Sequence, residues 1–246
     1  MNIKPLLRWT FGGANLHKRA FNILNLSVKN AIKIYGERFD YIICYNGLND
    51  NQIDEIKSLG IELRYQHPFI NGIGNKRRNT LWKHCPPRLR PLAHELQIDS
   101  DVVLEKELPE IEMFLQRDNH FLVAEGNTNS YGIFKNEISH HLQLNAGIFG
   151  VPPYFDMQKI ILNKLKNNKR IGNLRPCGEQ GLSVTIATQN PFITIPITTI
   201  TLSYYDEPLQ RGSCGTHFIG ANYAKNHRGW SRYLKITNII QIPQFL

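Results

Sequence analysis

The residues up to Tyr65 alternate between short apolar runs and segments whose apolar residues recur at helical spacing, and this alternation limits the fold more than any other feature. A glycine, Gly36 or Gly60, follows each helical segment, as is typical of a helix end. The order β-α-β-α-β predicts an α/β protein with a parallel sheet and a nucleotide site at its carboxyl edge. The predicted elements are strand Leu6–Phe11, helix Leu16–Tyr35, strand Tyr41–Tyr45, a helix capped by Asp50 or Asn51 and carrying Ile53, Ile56 and Leu59, and strand Ile61–Tyr65.

A pair of aspartates, Asp99 and Asp101, is the first candidate for a functional site. They belong to the segment His94–Leu104, which we predict to be extended. Side chains two residues apart in a strand point to the same face, so both carboxylates can converge on one ligand while Ser100 faces away. Two hard oxygen ligands suit Mg²⁺ or Mn²⁺ shared with substrate phosphates. The spacing is common by chance, and a solvated turn is the simpler explanation.

Two polar motifs in the second half of the chain could also serve a site. The predicted strand Leu142–Gly150 is interrupted at Asn145-Ala146-Gly147, where small neighbours would let a ligand approach Asn145, although an ordinary bulge gives the same pattern. Glu179 and Gln180 open an apolar helix that extends to Thr188. A carboxylate in the first turn of a helix often serves only the helix dipole, and Glu179 could equally be a functional carboxylate beside a polar amide.

Two further motifs stand near the end of the chain. His217 lies between Gly215 and Gly220, in what the glycines predict to be a loop, where a lone histidine is more often structural than a metal ligand. The segment His227–Trp230, which contains Arg228, is predicted to be a basic, aromatic and flexible cluster. Neither motif assigns a function by itself.

The formal net charge of +9 and a pI near 9.4 predict a polyanionic partner, which could be nucleic acid, an acidic membrane surface or a sugar nucleotide. A merely basic, solvated surface is the simpler alternative. Part of the charge stands in the long connection Gln66–Pro91, where Lys76-Arg77-Arg78 could meet phosphate or form a solvated helix face.

The compartment is predicted from the apolar runs and the cysteines. No apolar run reaches the ~18 residues that span a bilayer, and we expect no signal peptide because Arg8 breaks the first apolar stretch. Four widely spaced cysteines favour a reducing environment. We therefore expect a cytoplasmic protein, and the positive charge also allows peripheral contact with the anionic inner face of a membrane.

Taken in order, these motifs resemble those of glycosyltransferases with the GT-A fold, most closely family 8, which includes glycogenin and bacterial lipopolysaccharide galactosyl- and glucosyltransferases. Members begin with a nucleotide-binding β-α-β half and continue through an Asp-x-Asp pair, here Asp99 and Asp101. The resemblance covers nearly the whole chain, from Leu6 to Trp230. The later motifs that follow in the family's order are Asn145-Ala146-Gly147, Glu179-Gln180, His217-Phe218-Ile219-Gly220 and Gly229-Trp230.

The resemblance implies a single GT-A domain over residues 1–246, with a Rossmann-like nucleotide-binding half over 1–104, a mixed central sheet and an acceptor-side half over 105–246. It also implies transfer of a sugar, with retention of configuration, from a nucleotide sugar that we expect to be a UDP-sugar. The acceptor, whether a sugar, a lipid-linked sugar or a protein, is not identified by the sequence.

The chain departs from the family pattern at three places. Glu95 and Gln97 replace part of the strongly apolar strand that usually precedes the aspartates, which predicts an edge-exposed or alternating strand. Glu179 stands where the family usually has aspartate. Arg228-Gly229-Trp230 replaces a Lys-Pro-Trp motif, so Arg228 or Lys225 would supply the missing cation at the diphosphate.

The resemblance also implies roles for individual residues. Asp99, Asp101 and His217 would hold Mn²⁺ or Mg²⁺, with Mn²⁺ preferred because neutral imidazole suits it better. The cation would neutralise the diphosphate as the glycosidic bond breaks. The residues implied at the sugar and the acceptor are Asn145, Glu179 and Gln180. The residues expected at the nucleotide are Thr10, Phe11, Gly12, Asn46, Arg77, Lys225 and Arg228.

Two other classes of function are weighed against a transferase. A basic nucleic-acid-binding module is favoured by the charge of +9 and by aromatic residues among the basic ones. The scattered distribution of the basic residues, without a recognised RNA- or DNA-binding motif, makes nucleic acid the weaker candidate. A catalytically degenerate glycosyltransferase fold kept for protein interaction is the other class, and the presence of both aspartates and His217 argues against it.

Overall fold

The computed structural model describes residues 3–13, 16–67, 83–166, 177–223 and 226–237. The predicted β-α-β-α-β order up to Tyr65 is confirmed, with small shifts in the ends of the elements. The strands and helices of the described residues are β1 (Leu6–Gly12), α1 (Lys18–Tyr35), β2 (Asp40–Asn46), α2 (Asp50–Lys57), β3 (Glu62–Tyr65), β4 (Glu95–Asp99), β5 (Val102–Leu104), α3 (Pro109–Leu115), β6 (Phe121–Glu125), β7 (Leu144–Val151), α4 (Met157–Lys166), α5 (Gly178–Thr188), β8 (Phe192–Ile195), β9 (Ile200–Tyr204), β10 (Gly215–Ile219) and α6 (Arg228–Ile236).

A seven-stranded mixed sheet lies at the centre, with the strand order β3-β2-β1-β4-β7-β6-β8. Strands β1 to β4 are parallel to one another, whereas β7 runs antiparallel to both of its neighbours. Strands β5, β10 and β9 form a second, three-stranded sheet. The chain passes from the first sheet to the second between β4 and β5, which is where the two aspartates stand. The predicted mixed central sheet is therefore present.

Helix α1 covers one face of β1 through its apolar stripe. Leu24 and Val28 pack with Trp9 in the main core, and Trp9 Nε1 donates a hydrogen bond of 2.9 Å to Ser27 Oγ. The cap predicted for α2 was wrong by one residue, because Asn49 rather than Asp50 or Asn51 caps it. The Asn49 side chain accepts from the backbone N–H of residue 52, whose own side chain accepts from the backbone N–H of Asn49.

The other face of β1 carries Arg8, and it continues onto β4. Alternation along β1 turns Leu7, Trp9 and Phe11 toward α1 and leaves Leu6, Arg8 and Thr10 on the opposite face. In the register with β4, Leu6 pairs with Glu95 and Thr10 pairs with Asp99. The polar residues of both strands therefore share one face of the sheet, and that face ends at Asp99.

Of the two alternatives predicted for strand β4, the alternating strand is confirmed, with Leu96 and Ile98 in the main core, and the edge-exposed strand is wrong. Strand β4 lies between β1 and β7, inside the sheet, and Glu95 is fully buried. The charge is tolerated there because Arg8 Nη1 lies 3.0 Å from Glu95 Oε1. A buried carboxylate that has a cationic partner does not require an edge position.

Two segments predicted to be irregular are regular in the structure. His217 lies within β10, because Gly215 serves close packing rather than a loop: a Cβ there would lie 2.5 Å from the Val103 carbonyl oxygen. The segment predicted to be flexible begins α6, with His227 as its N-cap and Trp230 buried in the core. No helix in the described ranges is both long enough and apolar enough to cross a membrane.

Candidate functional site

Asp99, Asp101 and His217 converge where the two sheets meet. Asp99 is the last residue of β4, and His217 is brought alongside because β10 pairs with β5, placing His217 opposite Val102. His217 Nε2 lies 3.2 Å from Asp101 Oδ1 and 3.8 Å from Asp99 Oδ2. One ligand atom from each of the three residues lies within 4.8 Å of the others, a spacing that could hold a metal ion.

The two carboxylates meet because the chain turns, not because they share a strand. Strand β4 ends at Asp99, and Asp101 stands in the turn before β5. Ser100, between them, accepts a hydrogen bond of 3.0 Å from Asn222 Nδ2 and so is held toward the segment that follows β10. The backbone carbonyl of Asp101 accepts from Phe218 N at 2.8 Å, which fastens the turn to β10.

Gly147 leaves the space that the ring of His217 occupies. A Cβ at this position would lie 2.3 Å from His217 Cε1 and 2.4 Å from Nδ1, far closer than atoms can approach. It would also lie 2.7 Å from Asn145 Oδ1. The glycine of the Asn-Ala-Gly motif therefore lets the imidazole point Nε2 at the carboxylates.

Lys83 completes the centre, and sequence reasoning missed it. Its Nζ lies 2.7 Å from Asp99 Oδ1 and 2.8 Å from Glu179 Oε1. Burial lowers the pKa of Lys83, but the two carboxylates outweigh burial and raise the pKa above its ordinary value, so the ammonium stays charged. No local pattern marks this lysine, because its partners stand 16 and 96 residues away in the sequence.

The centre holds an excess of negative charge. Among the residues that the structure describes, the carboxylates of Asp99 and Glu179 contact the ammonium of Lys83, and Asp101 adds a third carboxylate beside Asp99. Burial raises the pKa of Asp99, and the neighbouring carboxylates raise it further, whereas Lys83 and His217 lower it. A divalent cation bound by the carboxylates would relieve this repulsion.

The residues expected at the sugar lie next to this centre and are joined to one another. Glu179 stands in the first turn of α5, whose predicted start is confirmed. Gln180 Oε1 accepts from Asn145 Nδ2 at 3.1 Å, and Gln180 Nε2 donates to the Ser130 carbonyl at 2.9 Å. Asn145 Oδ1 accepts from Gly147 N at 2.7 Å. Both amide side chains are thus held in fixed orientations.

A cavity of about 160 Å³ opens beside the acidic centre, at the carboxyl ends of β1 and β4. Gly12 is required there, because a Cβ would lie 1.9 Å from the Asn46 carbonyl oxygen of β2. The side chain of Asn46 donates to the Gln66 carbonyl at 3.1 Å, and Asn46 itself does not line the cavity. The residues lining the cavity include Thr10, Phe11, Gly12, Lys83, Asp99 and Asp101.

One residue expected at the nucleotide, Arg228, does not line this cavity. Arg228 is exposed at the start of α6 and borders a separate depression with Ser231 and Arg232. Arg77 and Lys225 lie outside the described residues. The cation seen at the cavity is Lys83.

A larger depression, of about 470 Å³, lies at the opposite edge of the sheet. Pro91 precedes β4 and Tyr154 follows β7, and both line it. Of its charged residues, Arg88 donates to the carbonyls of Pro152 and Phe155 and so serves the backbone. The convergent carboxylates and imidazole lie at the smaller cavity, which is therefore the candidate active site.

Comparison with known proteins identifies the fold. No family model and no curated protein matches the sequence. The structure is similar to galactosyltransferase LgtC in complex with donor and acceptor sugar analogs, with a TM-score of 0.62 over 97% of both chains at 11% identity. It is similar to mouse xyloside xylosyltransferase 1, with a TM-score of 0.59 over 89% of this chain and 99% of that chain at 10% identity. The fold is thus the predicted GT-A fold.

A third solved structure agrees with this assignment. The bifunctional glycosyltransferase WbbM has a TM-score of 0.51 to this chain at 11% identity, and the match covers 83% of this chain and 40% of that chain. The three similarities therefore concern the fold of the chain.

Proposed function

We propose that the protein is a metal-dependent glycosyltransferase that moves a sugar from a nucleotide-sugar donor to an acceptor. The observation that carries the proposal is the convergence of Asp99, Asp101 and His217 beside Lys83, at the carboxyl edge of a sheet with the GT-A strand order. The similarity to a galactosyltransferase and a xylosyltransferase supports it. Membership of family 8, a UDP-sugar as donor and retention of configuration are proposed from the order of the sequence motifs.

The donor set at the centre fits a hard or intermediate divalent cation. Two carboxylates and one imidazole suit Mn²⁺, with Mg²⁺ as the alternative, and Gly147 gives the imidazole the room it needs. When bound, the cation would supply the charge neutralisation that makes a nucleoside diphosphate a competent leaving group. Asp99, Asp101 and His217 would hold it.

The chain's own side chains would bind and orient the donor. Lys83 borders the cavity, so its ammonium can exchange part of its contact with Asp99 and Glu179 for an oxygen of the donor. Asn145 would face the sugar, and Gln180, whose amide oxygen and nitrogen each make one hydrogen bond, would orient Asn145. The residues proposed at the base and ribose are Thr10, Phe11, Gly12 and Asn46.

The proposal is tested by measuring the melting temperature with UDP and Mn²⁺, and again with UDP and a chelator. A ligand that binds only the native state must raise the melting temperature, so we expect a clear shift with Mn²⁺ and little shift with chelator. An equal rise in melting temperature under both conditions would contradict a role for the metal in binding UDP. A screen of nucleotide sugars for Mn²⁺-dependent hydrolysis would then name the donor.

Binding assays on the same protein sample distinguish a nucleic-acid-binding module from a glycosyltransferase. Two results together would show that the protein is a nucleic-acid-binding module and not an enzyme. UDP and nucleotide sugars would leave the melting temperature unchanged, and an RNA or DNA duplex would bind with an affinity that falls steeply with salt. The acidic centre argues for the enzyme, because the carboxylates of Asp99 and Asp101 at the cavity would repel a phosphate backbone in the absence of a metal.

Contact with an anionic membrane is proposed as a separate property. Helix α6 exposes Arg228, Arg232 and Lys235, whose spacing puts them on neighbouring turns of one face. Cosedimentation with vesicles containing an anionic lipid, compared with neutral vesicles, tests it. Binding to anionic vesicles that is lost when all three residues become glutamine supports the proposal, and equal binding to both vesicles contradicts it.

A further inference from the structure

A fully buried ion pair lies on the same sheet face as the candidate site. Arg8 of β1 and Glu95 of β4 are both 0% exposed, and Arg8 Nη1 lies 3.0 Å from Glu95 Oε1. Removing two charges from water is costly, and apolar side chains of similar volume often replace such a pair without loss of stability. Fold stability alone therefore does not account for charges at this place.

The pair holds four main-chain groups of one irregular segment, Lys83–Arg90. Arg8 Nη1 and Nη2 donate to two carbonyls at 3.0 and 3.3 Å, and Glu95 Oε2 accepts from two backbone N–H groups at 2.8 and 3.0 Å. Apolar replacements would offer none of these bonds. The four groups are the carbonyls of Pro86 and Lys83 and the N–H groups of Leu89 and Arg90.

The segment begins with the cation of the candidate site. Arg8 binds the carbonyl of Lys83, while the side chain of the same residue reaches Asp99 and Glu179. The next residue, His84, lies 3.2 Å through Nε2 from Ser183 Oγ on α5, the helix that carries Glu179. The backbone that Arg8 holds and the ammonium in the acidic centre therefore belong to one residue.

We propose that the Arg8–Glu95 pair is a positioning device that sets the Lys83 ammonium against the acidic centre. This inference rests on the proposed function, in which Lys83 meets the donor. Neither Arg8 nor Glu95 lines the cavity. Arg8 acts directly on the carbonyl of Lys83, and Glu95 acts by pairing with Arg8 and by holding the other end of the segment Lys83–Arg90. Their loss should therefore change donor binding only as far as Lys83 contributes to it.

The test is a double-mutant cycle read by calorimetric titration of UDP in the presence of Mn²⁺. The first variant combines Arg8→Met with Glu95→Gln, so that no unpaired charge stays buried; the second is Lys83→Met; the third combines all three changes. Because a charge-assisted hydrogen bond is at stake, we expect Lys83→Met to weaken UDP binding about 10- to 100-fold. The pair variant should weaken it in the same direction, by less.

The decisive comparison is the pair variant made on the Lys83→Met background. If the pair acts through Lys83, it should there change UDP affinity by less than about twofold, which is within the error of additive sites. A loss as large as that seen with Lys83 present would show that the pair acts independently, and it would overturn the inference. An unchanged affinity in the pair variant alone would overturn it as well.

Arg88→Met serves as the matched control. Arg88 anchors the far end of the same stretch, donating to the carbonyls of Arg90, Pro152 and Phe155, and has no bond to Lys83. It should lower the melting temperature and leave UDP affinity unchanged. If it weakens UDP binding as much as the pair variant does, general loosening explains both and positioning is rejected.

Two precautions keep the outcomes distinct. If the pair variant does not fold, Arg8→Lys takes its place, because it keeps the charge but not the fork that reaches two carbonyls; it should weaken UDP binding with Lys83 present and have no effect without it. If the unmodified protein shows no Mn²⁺-dependent UDP binding, the proposed function fails before the cycle begins. Binding by the unmodified protein with additive variants rejects the positioning role alone.

Discussion

The protein buries opposite charges in two clusters on one face of the same sheet, and the clusters differ in what they leave free. In the closed cluster, Arg8 and Glu95 are 0% exposed, form an ion pair with one another and make their hydrogen bonds to the main chain. In the open cluster, the side chains of Lys83 and Asp99 are each 21% exposed and border a cavity. Ion pairs that are closed to solvent hold the main chain in place, whereas ion pairs that border a cavity can exchange a partner for a ligand.

The largest expected effect falls on the open cluster's metal ligands. Asp101→Ala should abolish Mn²⁺-dependent UDP binding and turnover while leaving the fold intact, because it removes a ligand and little core volume. Asp99→Ala should do the same but keep more nucleotide affinity. Calorimetry with UDP and Mn²⁺ measures both, with exposed Asp54→Ala as the control. Wild-type transfer by both site variants would reject the assignment of the metal centre.

The second prediction compares how much each cluster contributes to the free energy of unfolding. Glu95→Ala leaves Arg8 buried and unpaired, and we expect it to lower the free energy of unfolding by about 3–5 kcal/mol. Lys83→Met should cost less than Glu95→Ala, because the side chains of Lys83 and Asp99 are each 21% exposed and border the cavity, where water can reach the carboxylate that is left behind. Urea unfolding followed by circular dichroism compares the two. Equal losses would mean that the open cluster is as much a structural fastening as the closed one.

A third prediction uses His84, which stands between the clusters. Burial, together with the charges of Arg8 and Lys83, lowers the pKa of His84 to about 4, against an opposing effect of Glu179. The unfolded chain therefore binds a proton between pH 6.5 and about 4 that the folded protein does not, so stability falls as pH falls through that window.

The size of that pH effect is bounded by the shift in pKa. His84 can contribute a loss of at most about 3 kcal/mol, complete below its folded pKa. His84→Gln, which cannot gain a proton, should flatten the dependence of the free energy of unfolding on pH between 6 and 4. The measurement is urea unfolding at a series of pH values. An unchanged slope would show that His84 does not link the two clusters to pH.

The smallest expected effect concerns Arg228, a cation that belongs to neither cluster. Because it is exposed and borders a separate depression, Arg228→Ala should change UDP affinity by less than about threefold, against the 10- to 100-fold loss of a charge-assisted hydrogen bond. Titration of UDP with Mn²⁺ beside Lys83→Met decides between the two cations. A tenfold loss would return Arg228 to the diphosphate, as the sequence motifs predicted.

The parts of the fold that could be predicted from sequence are those with a local period. Apolar spacing placed α1 and the first strands, and the glycine before Glu179 marks the start of α5. Glu95, in contrast, left an edge strand or an alternating strand open, and the alternating one is confirmed. The sequence could not exclude the edge position, because a charge is seldom buried without a partner and the partner comes from another strand. Gly215 indicated a loop because close packing against β5 and a turn select the same residue.

The candidate site likewise contains residues that the sequence predicts and one that it does not. The order of motifs predicted Asp99, Asp101 and His217 together, and the structure brings them within reach of one ion. Lys83 could not be predicted, since a lysine in an irregular segment has no period and its partners lie in distant elements. Long-range pairing of charges is decided by topology, and single-sequence patterns do not record topology at that detail.

At Gly147, a substitution can change the activity of the protein without changing its folding, although most buried substitutions change both. A single added methyl group would meet the imidazole of His217 and the side-chain oxygen of Asn145, and neither residue belongs to the hydrophobic core. In genetic terms, the smallest possible substitution at this codon would silence the site while the polypeptide still folded and accumulated. Selection at position 147 would therefore act through activity alone, and an allele carrying alanine there would be a natural tool for telling the protein's presence in a cell from its chemistry.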